Sequence, residues 1–259
     1  MPAHDLELLI SVAKQAAEIA APLANGRAAV RQKPGGAGPV TEADLAVNAM
    51  LEAQLKAARP DYGWLSEETE DDRQRLQQES CFILDPIDGT RSFIAGEPTW
   101  AHSFAVAKKG RVMAAVIYLP MLEQMFTATL GSGSYRNGKK IKGCKAHMLK
   151  DATILAAKPA LEPIHWSGGK VPSFQRHHRP SLAYRMALVA EGAFDGMITF
   201  RDTWEWDICA GALIAAEAGV TVSDRRGQDL VFNNEKAMTK GVIAASKPLH
   251  EEITNRLNI

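Results

Sequence analysis

An apolar run that breaks on acid sets the terms for this fold. Cys81, Phe82, Ile83 and Leu84 read as a short buried strand. Asp85 stops the run, and Pro86 blocks further sheet pairing. Asp88 follows three residues on, and Gly89 and Thr90 come directly after it. One strand end thus delivers two carboxylates, a flexible glycine and a hydroxyl to a single turn. A hard cation such as Mg²⁺ takes carboxylate and carbonyl oxygens of this kind. Phosphate is held by backbone N–H groups from a glycine turn or a helix start. Asp-Gly and Asp-x-x-Asp are also ordinary turn chemistry, so the string gains meaning only beside other acidic positions.

Three such positions stand out. Glu67 and Glu68 follow a strand signal at residues 62–65 and lead into Glu70, Asp71 and Asp72. On charge alone that is a solvated acidic run. Asp207 lies in Trp204-Glu205-Trp206-Asp207-Ile208-Cys209-Ala210-Gly211, at the start of an apolar helix, where Asp serves well as an N-cap. Asp44 is three residues beyond Thr41, a capping-box arrangement with Asp in place of Glu.

The string Asp85-Pro86-Ile87-Asp88-Gly89-Thr90 behind an apolar run resembles the signature of the inositol monophosphatase superfamily of metal-dependent, lithium-sensitive phosphatases. Three more blocks follow the family order: Thr41 with Asp44, Ser66-Glu67-Glu68 in place of a Gly-Glu-Glu-like triplet, and Trp206-Asp207 before small residues. The resemblance implies an α+β or α/β chain folded as a layered αβαβα sandwich of the inositol monophosphatase and fructose-1,6-bisphosphatase type. It implies that Glu67, Asp85 and the Ile87 carbonyl hold one Mg²⁺, and that Asp85, Asp88 and Asp207 hold a second. A third, weaker metal would lie beside residues 31–39, with Lys33 a phosphate contact. Asp44 would hydrogen-bond Thr90, and the pair, with Glu67, would position or deprotonate the attacking water. Asp88, the N–H groups of Gly89 and Thr90, and Ser181 would contact the substrate.

The implied reaction is hydrolysis of a small phosphorylated polyol by direct attack of water, in a homodimer. Inositol 1-phosphate leads. A 3'(2'),5'-bisphosphate nucleotidase and a histidinol phosphatase are the alternatives, because Arg91-Ser92 replaces the usual Thr-Asn and Glu205-Trp206-Asp207 resembles the nucleotidase branch. Some bacterial members partner RNA-processing or transcription machinery, which is the non-enzymatic alternative. A covalent phospho-enzyme is not indicated. Asp85 and Asp88 are not spaced as Asp-x-Asp, and neither Cys144 nor Cys209 has a phosphate-cradling loop followed by Arg.

Bulk properties narrow the setting. A hydrophobic content of 46% and a charged content of 23% over 259 residues suit a globular chain. With 30 basic against 30 acidic residues, nothing draws it to nucleic acid or membrane at long range. Three scattered cysteines without Cys-x-x-Cys argue against a disulfide framework and a zinc knuckle. The first residues lack a basic region followed by an apolar core, and Ile208 to Ala216 is far short of a membrane span. The expected location is the cytoplasm.

Along the chain, helical spacing predicts a helix over 6–23 and another from Thr41. Residues 31–39, rich in Gly and Pro, predict a mobile loop able to close over the site. Strands are expected at 62–65, 103–107, 112–118 and 125–129, with a tight hairpin at Asn137-Gly138. Residues 1–150 then form an α+β half with an antiparallel sheet and most metal ligands. Residues 151–259 form an α/β half carrying the specificity segment, about 159–206, with helices over 182–193 and 207–218 and strands at 154–157, 197–200, 220–223 and 242–246. Gly133 to Lys139 begins like a P-loop, but Lys140 stands where Ser or Thr is needed. The basic residues from Arg136 to Lys145 read as an exposed hairpin, and His177-His178 as a surface loop.

Overall fold

The structure is a computed structural model that describes residues 2–36 and 38–258. Helix α1 (Pro2–Ala20) ends in a short 3₁₀ turn and leads to a hairpin of β1 (Val30–Gln32) and β2 (Pro39–Thr41). Helix α2 (Glu42–Ala58) starts at a complete capping box on Thr41. Strands β3 (Gly63–Ser66) and β4 (Ser80–Asp88), helix α3 (Thr90–Ala95), then β5 (Ala101–Lys108), β6 (Arg111–Leu119), β7 (Gln124–Thr129), β8 (Ser134–Arg136) and β9 (Lys139–Lys140) follow. These seven strands form one sheet in sequence order. It is antiparallel from β4 onward, while β3 runs parallel to β4.

The remaining chain gives β10 (Thr153–Ala156), β11 (Gln175–His177), α4 (Leu182–Ala190), β12 (Gly196–Thr199), β13 (Thr203–Trp204), α5 (Glu205–Glu217), β14 (Thr221–Ser223), β15 (Met238–Thr239), β16 (Val242–Ala245) and α6 (Lys247–Asn255). A five-stranded mixed sheet has the order β11-β10-β12-β16-β14, and β13 pairs with β15 outside it. Among the described residues no helix is long and apolar enough to cross a membrane.

The layers follow from which face each strand buries. All of β4 is buried, and its first part, Cys81 to Leu84, is apolar on both sides. Phe82 and Leu84 join Phe104 and Val116 against Leu9, Val12, Leu51 and Leu55 of α1 and α2. Cys81 and Ile83 face the other way, toward Met186 of α4 and Ile208 and Leu213 of α5. Helix α5 is apolar all round because it lies between sheets. Its approach to α4 needs a glycine, since a Cβ at Gly211 would lie 2.6 Å from Met186 Cβ. Helix α6 covers the far face of the smaller sheet, packing Leu249 and Ile253 on Ile154, Ile198 and Ile243. The result is a layered αβαβα sandwich.

Two expectations change. The segment 31–39 is a hairpin arm, in which Gly35, Gly36 and Gly38 take positive φ and Lys33 N–H donates to the Gly38 carbonyl at 2.9 Å. Its Gly and Pro residues make the turn; Ala37 lies outside the described residues. His177 is not in a loop but in edge strand β11, paired with Leu155. The Asn137-Gly138 hairpin is present, both residues having positive φ. It joins β8 to β9, which removes the strand-to-helix context that a P-loop requires.

Candidate active site

The site begins with an irregularity in β4. In a regular strand, residues three apart point to opposite faces. Here the pairing with β5 slips by one residue: Asp85 faces Ser103, whereas Asp88 faces Ala101. This is a β-bulge, and it turns both carboxylates to the same side. That side is the α5 side, as Ser103 Oγ donates to the Trp206 carbonyl at 3.0 Å. Pro86 has no N–H to lose within the bulge, and its carbonyl accepts from Nδ1 of His102. His102 is fully buried, which pulls its pKa down to about 4 and keeps the ring neutral.

The bulge meets acids from two other elements. Carboxylate oxygens of Glu67, Asp85 and Asp207 all lie within 4.8 Å of one another. Glu67 sits just past the end of β3, and its N–H donates to the Leu84 carbonyl at 3.1 Å. Asp207 is not the N-cap of α5. Trp204 holds that position, and Asp207 stands in the first turn, favoured there by the helix dipole. The Asp207 carboxylate makes no hydrogen bond among the described residues, although it stands inside α5. Asp88 stands beside this trio with one oxygen committed: Oδ2 accepts from Ser181 Oγ at 2.6 Å and from Ala183 N–H at 2.7 Å.

The acidic run is not uniformly solvated. Lys33, from the hairpin arm, bridges Glu67 at 2.7 Å and Glu68 at 2.8 Å. Glu68 is the more buried of the two, its side chain 4% exposed against 24% for Glu67, so it is no surface residue. Burial pushes Glu68 up to about 7, against the pull of Lys33. Burial and the neighbouring Glu67, Asp88 and Asp207 hold the Asp85 carboxyl well above the usual range. Asp207 is raised in the same way, by burial and then by Asp88 and Glu67. Asp88 is lifted by burial to about 6, opposed by its bonds from Ser181 and Ala183. Such a crowd of oxygens asks for positive charge. An all-oxygen donor set with free oxygens on Asp85, Asp88 and Asp207 fits a hard cation such as Mg²⁺.

Asp44 and Thr90 are not joined by a hydrogen bond. The capping box takes Asp44: its Oδ2 accepts from Thr41 N–H at 2.7 Å and Thr41 Oγ1 at 2.5 Å. Oδ1 is buried without a partner, and burial raises the carboxyl to about 6. Thr90 Oγ1 donates instead to the Ile87 carbonyl at 3.2 Å, and Ile87 N–H donates to Asp85 Oδ1 at 2.9 Å. Gly89 holds φ +97°, a conformation that lets α3 begin directly after the bulge. Ser181 is fully buried, and its hydroxyl both caps α4, accepting from Tyr184 N–H, and donates to Asp88. Its hydroxyl thereby holds Asp88 in place.

Some residues gave no signal in the sequence. Arg75, buried, donates to Asp71, Asn233 Oδ1 and the Asn234 carbonyl. The N–H groups of Asn233 and Asn234 in turn donate to Glu205, two residues before Asp207. Only the spacing Asp71 to Arg75 hinted at a pair. His178 is no metal ligand, since its Nε2 lies 2.9 Å from Arg185 Nη2.

Comparison with known proteins places the chain as a whole. An inositol-1-monophosphatase of Mesorhizobium japonicum is 33% identical over 236 residues, covering 81% of this chain and 84% of that protein. The Nus factor SuhB of Escherichia coli K12 is 34% identical over 219 residues, covering 81% of this chain and 78% of that protein. The crystal structure of the extragenic suppressor protein suhB from Bartonella henselae superposes with a TM-score of 0.83 at 27% identity, covering 97% of each chain. The model of the inositol monophosphatase family matches residues 2–258, and the chain belongs to that family.

Proposed function

We propose that this phosphomonoesterase hydrolyses a small phosphorylated polyol of the inositol 1-phosphate type with Mg²⁺ as cofactor. The observation that carries the reading is the convergence of Glu67, Asp85 and Asp207 beside a bulge that also presents Asp88 and Thr90. Mg²⁺ held by these carboxylates supplies charge neutralisation and acidifies water, which is most of what phosphoryl transfer requires. The chain's own groups do the rest. Gly89 and Thr90 N–H groups, at the start of α3, receive phosphate oxygens. Thr90 Oγ1 donates to the Ile87 carbonyl and so keeps its lone pairs for a proton of the attacking water. Asp44 Oδ1, buried and without a partner, would be the acceptor for the proton that the water loses as its oxygen bonds to phosphorus, once water links it to Thr90. The ester P–O bond breaks, and the leaving alkoxide is protonated from solvent. Lys33 supplies positive charge at the rim.

The test is phosphate release from inositol 1-phosphate at neutral pH. Release is expected to need Mg²⁺, to be inhibited by millimolar lithium, and to fall about a thousandfold, roughly 4 kcal/mol, in Asp88→Asn with the fold intact by circular dichroism. Near-normal turnover in that variant would overturn the assignment.

A further inference from the structure

The bulge in β4 leaves part of its backbone to be held by side chains. Pairing with β5 is interrupted between Asp85 and Asp88, so the carbonyls in between need other donors. Thr90 Oγ1 serves the Ile87 carbonyl at 3.2 Å. Pro86 has no N–H, and its carbonyl is the one polar group by which its backbone can be held. That carbonyl meets Nδ1 of His102. A carbonyl only accepts, so Nδ1 carries the ring proton and donates. Nε2 is buried and has no partner among the described residues. Around the ring lie Trp100 at 5.4 Å, Phe104 at 5.7 Å and Tyr118 at 6.5 Å between centroids. A fully buried imidazole in such an aromatic box costs free energy that a phenyl ring would not. What histidine supplies there, and phenylalanine cannot, is the hydrogen bond to the bulge.

We infer that His102 is a positioning residue of the candidate active site: it holds the bulge in the shape that presents Asp85 and Asp88 together, and itself meets neither cation nor substrate. The inference rests on the Mg²⁺-dependent phosphomonoesterase reading and adds a residue to it. Ala101 and Ser103, on either side of His102, pair with Asp88 and Asp85. Successive strand residues point to opposite faces. His102 therefore works from the face it shares with Trp100 and Phe104, and Ser103 from the face toward α5. Ser103 Oγ donates to the carbonyl of Trp206, next to Asp207, at 3.0 Å. One short stretch of β5 thus ties down both the bulge and the start of α5, and so sets how Asp85 and Asp88 stand to Asp207. Groups that orient ligand oxygens from behind commonly govern metal affinity by about tenfold or more.

The experiment compares His102→Phe, which keeps a flat ring but no donor, with His102→Asn, whose Nδ2 can take the place of Nδ1. Mg²⁺ binding is read by calorimetric titration, with folding checked by circular dichroism. His102→Phe is expected to weaken Mg²⁺ binding about tenfold, and to lower kcat for inositol 1-phosphate about tenfold at saturating Mg²⁺ with KM unchanged. His102→Asn is expected to bind Mg²⁺ within about threefold of the native protein, although its smaller side chain leaves the box underfilled and the fold less stable. A purely structural role predicts the reverse order, because phenylalanine fills the box and asparagine does not. That order, or equal Mg²⁺ binding in all three proteins, overturns the inference. His102→Leu, also without a donor, repeats the comparison if His102→Phe does not fold. If the native protein takes up no Mg²⁺, the metal reading fails, and hydrogen exchange over residues 84–90 judges the positioning role by itself. Exchange about tenfold faster in His102→Phe than in His102→Asn supports it; no such difference overturns it.

Discussion

Asp85 and Asp88 do their work through what surrounds them, and two neighbours make this testable. Gly89 has φ +97°, which an L side chain adopts only with strain. Gly89→Ala is expected to cost about 1–2 kcal/mol, read as a lower denaturation midpoint with an unchanged m-value. His102, behind the bulge, carries a pH signature. Its folded pKa, about 4, lies below the ordinary 6.5, so the unfolded chain takes up the proton first. Stability contributed by the neutral ring is present above pH 6.5 and drains away as pH falls toward 4, by up to about 3 kcal/mol. The stability gap between the native protein and His102→Phe should therefore narrow over that range in denaturant titrations; a constant gap would contradict the neutral, buried ring. At this scale the sequence was informative where chemistry is local. Asp85, Asp88, Glu67 and Asp207 were legible by resemblance, and the Thr41–Asp44 box by spacing. Glu68 could be read from sequence only as surface or as support behind Glu67, because a run of acids carries no mark of which member a distant Lys33 will bury. Ser181, expected at the substrate, has its buried hydroxyl bonded to Asp88, a contact between remote stretches that only the fold reveals.

Between elements, long-range polar contacts matter more than propensity. Arg75 is tied to Asp71 at 2.7 Å and to Asn233 and Asn234, and so fastens the segment after β3 to the loop that holds Glu205. Removing its fully buried guanidinium leaves several acceptors unpaired. Arg75→Ala is expected to lose about 3 kcal/mol in denaturant unfolding. Arg73→Ala breaks an exposed pair with Glu235 and is expected to lose well under about 1 kcal/mol. Equal effects would mean that the buried network is not a structural tie. Long elements with clear periodicity, such as α1, α2, β5 and β6, were legible from apolar spacing. The β1–β2 arm was not, because three-residue strands flanking glycine and proline look like loop. β11, β13 and β15 escaped for the same reason: two- or three-residue strands are defined by their partners rather than by their own residues.

Across the whole molecule, layering brings the parts of the site together. β4 crosses the larger sheet, Glu67 ends the strand beside it, and α5, sandwiched between the sheets, presents Asp207 at its start. The order of layers followed from resemblance rather than from periodicity, because an all-apolar helix such as α5 does not show which of its faces meets which sheet. Mutual repulsion among Glu67, Asp85 and Asp207 predicts a metal-dependent stability. Mg²⁺ at about a hundred times its dissociation constant is expected to stabilise the fold by about 2.7 kcal/mol relative to chelated protein, raising Tm, and Asp207→Asn should blunt that rise. A Tm indifferent to Mg²⁺ would speak against a metal at the trio. Glu67 and Asp207 are 140 residues apart (207 − 67) yet hold oxygens within 4.8 Å. A cation shared between them would therefore tie two remote stretches of chain as a disulfide does, closing a loop of more than half the molecule. Unlike a covalent cross-link, this tether would be made and undone by the cation concentration of the surrounding solution.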